Sequence, residues 1–415
     1  MKLTLTDEQS VVVNSKEKNI LLIAGAGTGK TRVLTERLKF LLEQGVDPQG
    51  IVAITYTNLA TNEMKERLKR VEGINECFIG TIHSFANSIL KSMNMYFKIL
   101  TDEEYIKIAG KLIKMYCKEI NIFQFVEIKS YYEKPDDKKT LKHFSQKQLD
   151  EYQALCGYKN VSYIGTNIYL YADENDYITF EKMIELATEN YKSDFIEHLL
   201  VDEFQDVGTL EYGFIEKLNA KNLFYVGDDW QSIYSFSGGN VNLMLNLYNN
   251  PNFKIYMLTK NFRNPKEILN TGRKLIDQLD DYIEKDNCCM NGEYGKVSTS
   301  SINNILGYVK PGMIILARSN KEVETISNIL LKNGIDNIVL QKSGKTQKEL
   351  AEIFNSEKVK VMTVHQSKGL EFDKVILYGK NMKINRRNIW RDSDEEKKVM
   401  YVGITRAKKE LVILN

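Results

Sequence analysis

The sequence predicts an α/β protein built on two parallel sheets, with a helical segment inserted into the first. Three observations predict it. Short apolar, β-prone runs at 19–24 (NILLIA), 198–201 (HLLV) and 223–226 (LFYV) end in glycine or acids rather than in hairpin turns. Helical periods alternate with such runs in both halves of the chain, the pattern of doubly wound α/β layers. Between the alternating regions, 93–185 reads as helical, clearest in TDEEYIKIAGKLIKMYCKEI and SQKQLDEYQALCGY.

Composition sets the bounds. At 415 residues the chain exceeds one ordinary domain. A hydrophobic fraction of 43% supports full cores, and 57 basic against 55 acidic residues exclude a histone-like polycation. Cys77, Cys117, Cys156, Cys288 and Cys289 fit no zinc spacing and read as reduced thiols of a cytoplasmic protein. MKLTLTDEQS lacks the apolar core of a secretion signal, and no run approaches the ~20 apolar residues that span a bilayer.

The first chemical signal is NILLIAGAGTGKT, Asn19 to Thr31, followed by the helical RVLTERLKFLLEQG. Strand, glycine loop and helix in that order are the context a phosphate-binding loop requires. Gly25, Gly27 and Gly29 let backbone N–H groups turn inward around phosphates, Lys30 reaches the β and γ phosphates, and the Thr31 hydroxyl holds Mg²⁺. The helix that follows aims its positive end at the same anions. One departure stands out: the strict pattern has Gly where this chain has Ala24. By itself the loop leaves kinase, transporter ATPase, GTPase and motor open.

EHLLVDEFQDV, Glu197 to Val207, is another apolar strand ending in acids. Asp202 is placed to hold Mg²⁺ through water, and Glu203 to activate a hydrolytic water. Hydrolysis also needs cations on the developing γ-phosphate charge, and Arg263 and Arg406 both follow β-type runs far down the chain. Spacing alone does not separate them from surface arginines. VGDDWQSIYSFSGGN, Val226 to Asn240, crowds acids, an amide and three rings into one loop. A core loop has no need of Asp228, Asp229 and Gln231, and a solvated loop has no need of Trp230, Tyr234 and Phe236.

Taken together, these segments resemble superfamily 1 helicases of the UvrD/Rep/PcrA type along nearly the whole chain. LTDEQ (5–9) is similar to the Q motif, with Gln9 implied to read adenine. AGAGTGKT matches that family's own loop variant, which begins with Ala, so Ala24, Gly25, Ala26, Gly27, Thr28, Gly29, Lys30 and Thr31 are implied to cradle the nucleotide. ITYTNLATNEMKERL (54–68) resembles motif Ia and GTIHSFA (80–86) motif Ib; VDEFQD and VGDDWQSIY resemble motifs II and III. LTKNFRN resembles motif IV, VMTVHQSKGLEF (361–372) motif V, and EEKKVMYVGITRAKK (395–409) motif VI. The wording DDWQSIY is closest to the helicase IV branch.

The resemblance implies two RecA-like P-loop NTPase domains with ATP and Mg²⁺ between them. The first is expected at 1–92 and 186–251, its helical insertion at 93–185, and the second at 252–415, without the family's accessory domain. Lys30, Thr31, Asp202, Glu203 and Gln231 are implied on one side, and Arg263, Gly369, Glu371 and Arg406 on the other, with Phe262 stacking on adenine where the family has tyrosine. Single-stranded DNA is implied to run past Tyr56, Asn58, His83, Tyr234, Phe236 and His365. Stacking tolerates any base, which suits a motor on arbitrary sequence. Ser237 stands where the family often has Arg. The implied activity is 3′ to 5′ translocation and unwinding at single-strand/duplex junctions, in repair, replication or recombination. The alternative is a DNA-stimulated ATPase that unwinds only with a protein partner. Lys134, Lys138, Lys139, Lys142 and Lys147 form a basic cluster in the insertion, readable as a solvated face or as a backbone contact.

Overall fold

The computed structural model describes residues 4–116, 176–192, 195–235, 238–286, 288–292, 294–340, 347–379 and 393–414. The basic cluster at 134–147, Phe236, Ser237, Cys117 and Cys156 lie outside the described residues. The chain divides into two compact units, 83–192 and the remainder.

The larger unit carries two six-stranded sheets in which every pairing is parallel. The first uses β1 (Asn19–Ala24), β2 (Ile51–Thr55), β3 (Phe78–Thr81), β6 (His198–Val201), β7 (Asn222–Gly227) and β8 (Lys254–Leu258), in the order β3-β2-β6-β7-β1-β8. The smaller unit holds the short pair β4 (Lys98–Ile99) and β5 (Tyr177–Ile178), with helices Asp102–Tyr116 and Phe180–Asn190. A second short pair joins β9 (Lys260–Asn261) to β10 (Cys288–Cys289). The second large sheet runs β11-β16-β15-β12-β14-β13. Its strands are β11 (Lys296–Ser300), β12 (Ile314–Ala317), β13 (Asn337–Val339), β14 (Val359–Thr363), β15 (Phe372–Tyr378) and β16 (Ala407–Leu414).

Both expected sheets are therefore present, with one correction. The boundary expected between 251 and 252 falls too early, because β8 pairs with β1 and belongs to the first sheet. Nothing in KIYML distinguishes a last strand of one sheet from a first strand of the next; only the pairing does.

Burial follows the apolar runs. Leu21, Leu22 and Ile23 of β1 are fully buried, as expected of a strand covered by helices on both faces. Ile20, Leu22 and Ala24 pack with Val33, Leu34 and Leu38 of the helix Lys30–Glu43 and with Val226 of β7. Ile314, Leu316, Val375, Leu377 and Leu411 form the equivalent core of the second sheet. These cores hold the strand ends rigid, and in open parallel sheets ligands bind in the crevice beyond the C-terminal ends of the strands. Among the described residues no helix is long and apolar enough to cross a membrane.

Candidate active site

The loop after β1 turns on two glycines. Gly27 has φ +68° and Gly29 φ +92°, so a side chain at either would be strained. A Cβ on Gly27 would lie 2.6 Å from Arg263 Cβ, and one on Gly29 would lie 2.8 Å from Gln9 Nε2. Thr28 Oγ1 donates to Gly25 O at 2.8 Å and fastens the loop to itself. Ala24 and Ala26 are buried, so the small residue in place of glycine sits inside the fold. Lys30 Nζ is buried without a hydrogen-bond partner, 3.7 Å from Glu203 Oε2. An orphaned buried ammonium in a glycine cradle fits a polyphosphate. Thr31 follows in the first turn of the same helix.

Gln9 meets this loop from outside. Its Nε2 donates to Thr28 O at 3.0 Å, and its Oε1 accepts from Thr6 N at 3.1 Å in a capping box. The amide expected to read adenine is thus also a brace for the phosphate loop. Glu8 ties the same helix to the end of β8, accepting from Thr259 N at 3.0 Å and from Thr259 Oγ1 at 2.6 Å.

β6 delivers the acids. Glu203 takes a left-handed φ of +51°, and its N–H donates to Asp202 Oδ1 at 2.9 Å. Burial raises the pKa of Asp202, and the charge on Glu203 adds to the rise. Burial opposes charge on Glu203 too, yet Lys30 and Lys368 outweigh it and hold this carboxylate below its usual range. The pair is thereby split into one reluctant and one firmly ionised acid. Mg²⁺ is ordinarily held through one or two carboxylates together with substrate phosphates, so Asp202 and Thr31 beside the cradle fit it.

The loop after β7 answers the question its composition raised, by a correction: the acids and the amide are core residues. Asp228 and Asp229 are 0% exposed and Gln231 4%. Gln231 Oε1 accepts from Arg406 Nη2 at 2.9 Å, and Arg406 also donates from Nε to Val402 O at 3.0 Å and from Nη1 to Leu370 O at 3.2 Å. Burial, with Arg263 nearby, lowers Arg406 to about 9, which leaves it cationic near neutrality. Trp230 packs against Tyr401, ring centroids 5.6 Å apart, so its ring is core.

Arg263 stands at the mouth, its Nε 2.6 Å from Glu371 Oε2. Gly369, two residues before Glu371, has φ +81°. Phe262 is 48% exposed while its N–H donates to Gly27 O at 2.9 Å, which holds an open ring beside the phosphate loop. Four candidates, Lys30, Thr31, Asp202 and Glu203, thus follow β1 and β6, with Lys30 against Glu203, while Gln231 after β7 meets Arg406.

On the other side of the β7 loop, Tyr234 stacks on Tyr56 with centroids 5.0 Å apart at 29°. The Tyr234 hydroxyl donates to His365 O at 3.4 Å, and His365 Nε2 lies 3.2 Å from Ile233 O. Burial, then Arg318, lowers His365 to about 4, so the ring is neutral at pH 7. Asn58 opens the exposed start of the helix that follows β2. His83 belongs to the smaller unit, where its ring meets Phe180 edge-on at 4.8 Å.

Sequence reasoning missed several residues. Asn261 bridges the phosphate loop and the arginine segment: its Nδ2 donates to Ala26 O, and its Oδ1 accepts from Arg263 N at 2.9 Å and Asn264 N at 2.7 Å. Asn264 Nδ2 continues to Thr405 O and Ala407 O. Lys368 pairs with Asp206, donates to Gln231 O at 2.9 Å and lies 5.0 Å over the Tyr234 ring. Burial pushes Asp206 up to about 6 against the pull of Lys368. NFRN and SKGLE offered the asparagines and the lysine as signals; the contacts they make had none.

Two parallel sheets, a phosphate loop and acid pair on the first, and Arg406 directly before a strand of the second define a P-loop NTPase with two RecA-like halves. The profile described as UvrD/REP helicase N-terminal domain matches residues 5–252, and that of the UvrD-like helicase C-terminal domain matches residues 338–415. The chain belongs to the UvrD/REP helicase family. It is 27% identical to a probable DNA helicase of Mycoplasma pneumoniae, over 99% of this chain and 83% of that protein. It is 29% identical to the ATP-dependent DNA helicase PcrA of Bacillus subtilis, over 84% of this chain and 52% of that one. With DNA helicase II of Haemophilus influenzae the identity is 30%, over 70% and 42%. The chain therefore spans about half or less of the length of the last two relatives.

Proposed function

We propose that the protein hydrolyses ATP in the crevice between its two sheets and uses the cycle to move along single-stranded DNA, separating strands at junctions with duplex. The observation that carries this is the direct bond from Arg406 of the second half to Gln231 of the first, beside the Lys30 cradle. Lys30 would draw negative charge from the β and γ phosphates, Thr31 and Asp202 would hold Mg²⁺, and Glu203 would take the proton of the attacking water. Mg²⁺, when bound, supplies charge neutralisation on the phosphates. Gln231 would sense the γ-phosphate, with Arg406 and Arg263 stabilising charge as the bond to the leaving group breaks. Phe262 and Gln9 would receive adenine, with Gly369 and Glu371 lining the nucleotide.

Tyr56, Asn58, Tyr234 and His365 would form the track, with His83 and Phe236 kept as candidates on the family resemblance alone. Relatives named as DNA helicases, and the exposed Tyr56 ring stacked on Tyr234 of the loop that carries Gln231, support this reading. We propose further that no accessory domain interrupts the second half. Only Gln341 to Lys358 separates β13 and Leu340 from β14, and the helix Gln347–Asn355 takes up half of that interval. Independent domains need roughly 50 residues. Such a motor leaves room for a protein partner that governs unwinding. ATP hydrolysis with and without single-stranded DNA, followed by strand separation on 3′-tailed and 5′-tailed duplexes, tests the whole reading. Stimulation and unwinding of the 3′-tailed substrate are expected, and no stimulation under any condition would overturn it.

A further inference from the structure

Behind the nucleotide face lies a buried charge cluster that none of the expected site residues accounts for. Asp228 and Asp229 are 0% exposed, and Lys285, from the segment after the helix Lys266–Ile276, is 2% exposed. Lys285 Nζ lies 2.9 Å from Asp228 Oδ1, pairs with Asp229, and sits 4.1 Å above the Trp230 ring. The neighbouring backbone clasps the same loop: Ile283 N donates to Asp229 Oδ2 at 2.8 Å, and Trp230 Nε1 donates to Ile283 O at 3.0 Å. Buried ions are costly to desolvate, and a well-packed apolar trio is often no less stable, so stability alone is a weak reason for this cluster.

The cluster continues toward the reacting centre. Asp228 Oδ2 accepts from Gln231 Nε2, and Gln231 Oε1 in turn accepts from Arg406. An amide has a donor end and an acceptor end. A carboxylate at the first and a guanidinium at the second leave it one favourable orientation. A protonated Asp228 could instead donate to the amide oxygen and turn the NH₂ group toward the Arg406 cation. Burial opposes charge on Asp228, and Lys285 followed by Lys30 overcomes it, bringing the carboxyl below its usual pKa.

We propose that Lys285 is a positioning residue for ATP hydrolysis: by keeping Asp228 a carboxylate, it fixes the orientation of the Gln231 amide against Arg406. This rests on the crevice being the ATP site. It acts through Asp228 and touches no nucleotide, so it governs how well the transition state is met rather than how tightly ATP is held.

The test is steady-state ATPase at saturating single-stranded DNA for the whole chain, its Lys285→Met variant and its Asp228→Asn variant, with thermal midpoints and DNA affinity measured alongside. Asp228→Asn keeps the shape and leaves Lys285 its second partner. Both variants are expected to lose about 10- to 100-fold in kcat, the size of effect that a small misplacement brings. KM for ATP and Kd for DNA should stay within about twofold, since ground-state contacts are untouched. A folded Lys285→Met with wild-type kcat, or with only KM raised, overturns the proposal and leaves Lys285 a structural anchor. If Lys285→Met does not fold, Asp228→Asn decides, and unchanged kcat there overturns it equally. An unsubstituted protein without ATPase removes the ATP reading itself, and this inference with it.

Discussion

The two ends of the loop after β7 are built on opposite plans. At the nucleotide end, Asp228, Asp229 and Gln231 are buried, and the contacts described for them are directional, running through Lys285, Ile283 and Arg406. At the other end Tyr234 is half-buried, Tyr56 is 38% exposed, and the contact between them is ring on ring. Directional bonds in a dry site select one pose, as charge stabilisation in a transition state requires. Stacked rings accept any base, and a lost ring partner can be replaced by another. On the proposed function, one loop joins a site that must not vary to a surface that must accept variety.

The largest expected effect breaks the nucleotide end. Lys30→Ala should lower ATP hydrolysis by roughly three orders of magnitude or more, since Lys30 is the cation carried by the phosphate loop itself. The fold should survive, because Lys30 Nζ makes no hydrogen bond that the substitution could remove. Circular dichroism beside an ATPase assay checks both, and a folded variant with undiminished activity sinks the site assignment.

Gln231→Ala comes next, with kcat expected to fall on the order of a hundredfold while single-stranded DNA binding is kept. Rapid-quench measurement separates chemistry from binding here; a change confined to DNA affinity would put Gln231 on the wrong side of the comparison.

Tyr234→Ala addresses the other end. Losing one stacking platform costs ~1–3 kcal/mol of DNA binding, so affinity should weaken roughly 5- to 150-fold. DNA-stimulated ATPase should then fall more than basal ATPase. Equal loss in both would make Tyr234 part of the hydrolytic side.

The smallest effect is a pH slope. His365 is lowered to about 4 from its ordinary 6.5, so between those values the unfolded chain binds a proton that the folded chain refuses. Stability therefore falls as pH drops through that window, by at most about 1.4 kcal/mol per pH unit for one group. His198, half-buried and also lowered to about 4 by desolvation and then by Arg37, acts in the same direction. Urea titrations of His365→Gln between pH 7 and pH 4 should show a shallower slope than the unsubstituted protein; an unchanged slope would mean that the His365 ring stays accessible to protons.

What could be read in advance was what is contiguous. Gly27, Gly29 and Lys30 announce a phosphate loop because backbone conformation and charge are set within a few residues, and Asp202 and Glu203 stand at a strand end for the same local reason. Arg406 could be singled out by motif but not placed, since its bond to Gln231 joins strands of different sheets. Lys285 was illegible: nothing in YIEKDN marks a lysine destined for two carboxylates more than fifty positions earlier. The acids of GDDW misled for the same reason, because without Lys285 a buried pair of aspartates is implausible. β8 was assigned to the wrong sheet since periodicity reports burial and not partnership.

The order of strands in the first sheet sets a timetable for synthesis. β1 lies between β7 and β8, so its first neighbour is complete only at Gly227 and its second only at Leu258. At about 5–20 residues per second, the apolar strand that ends at Ala24 waits on the order of ten to fifty seconds for both partners. Until β7 is made NILLIA is an apolar strand without a sheet partner on a nascent chain, and the short pair β4 and β5 is synthesised before it gains one. A truncation that releases the chain before residue 222 should therefore yield a protein held by chaperones or precipitated, however intact its phosphate loop.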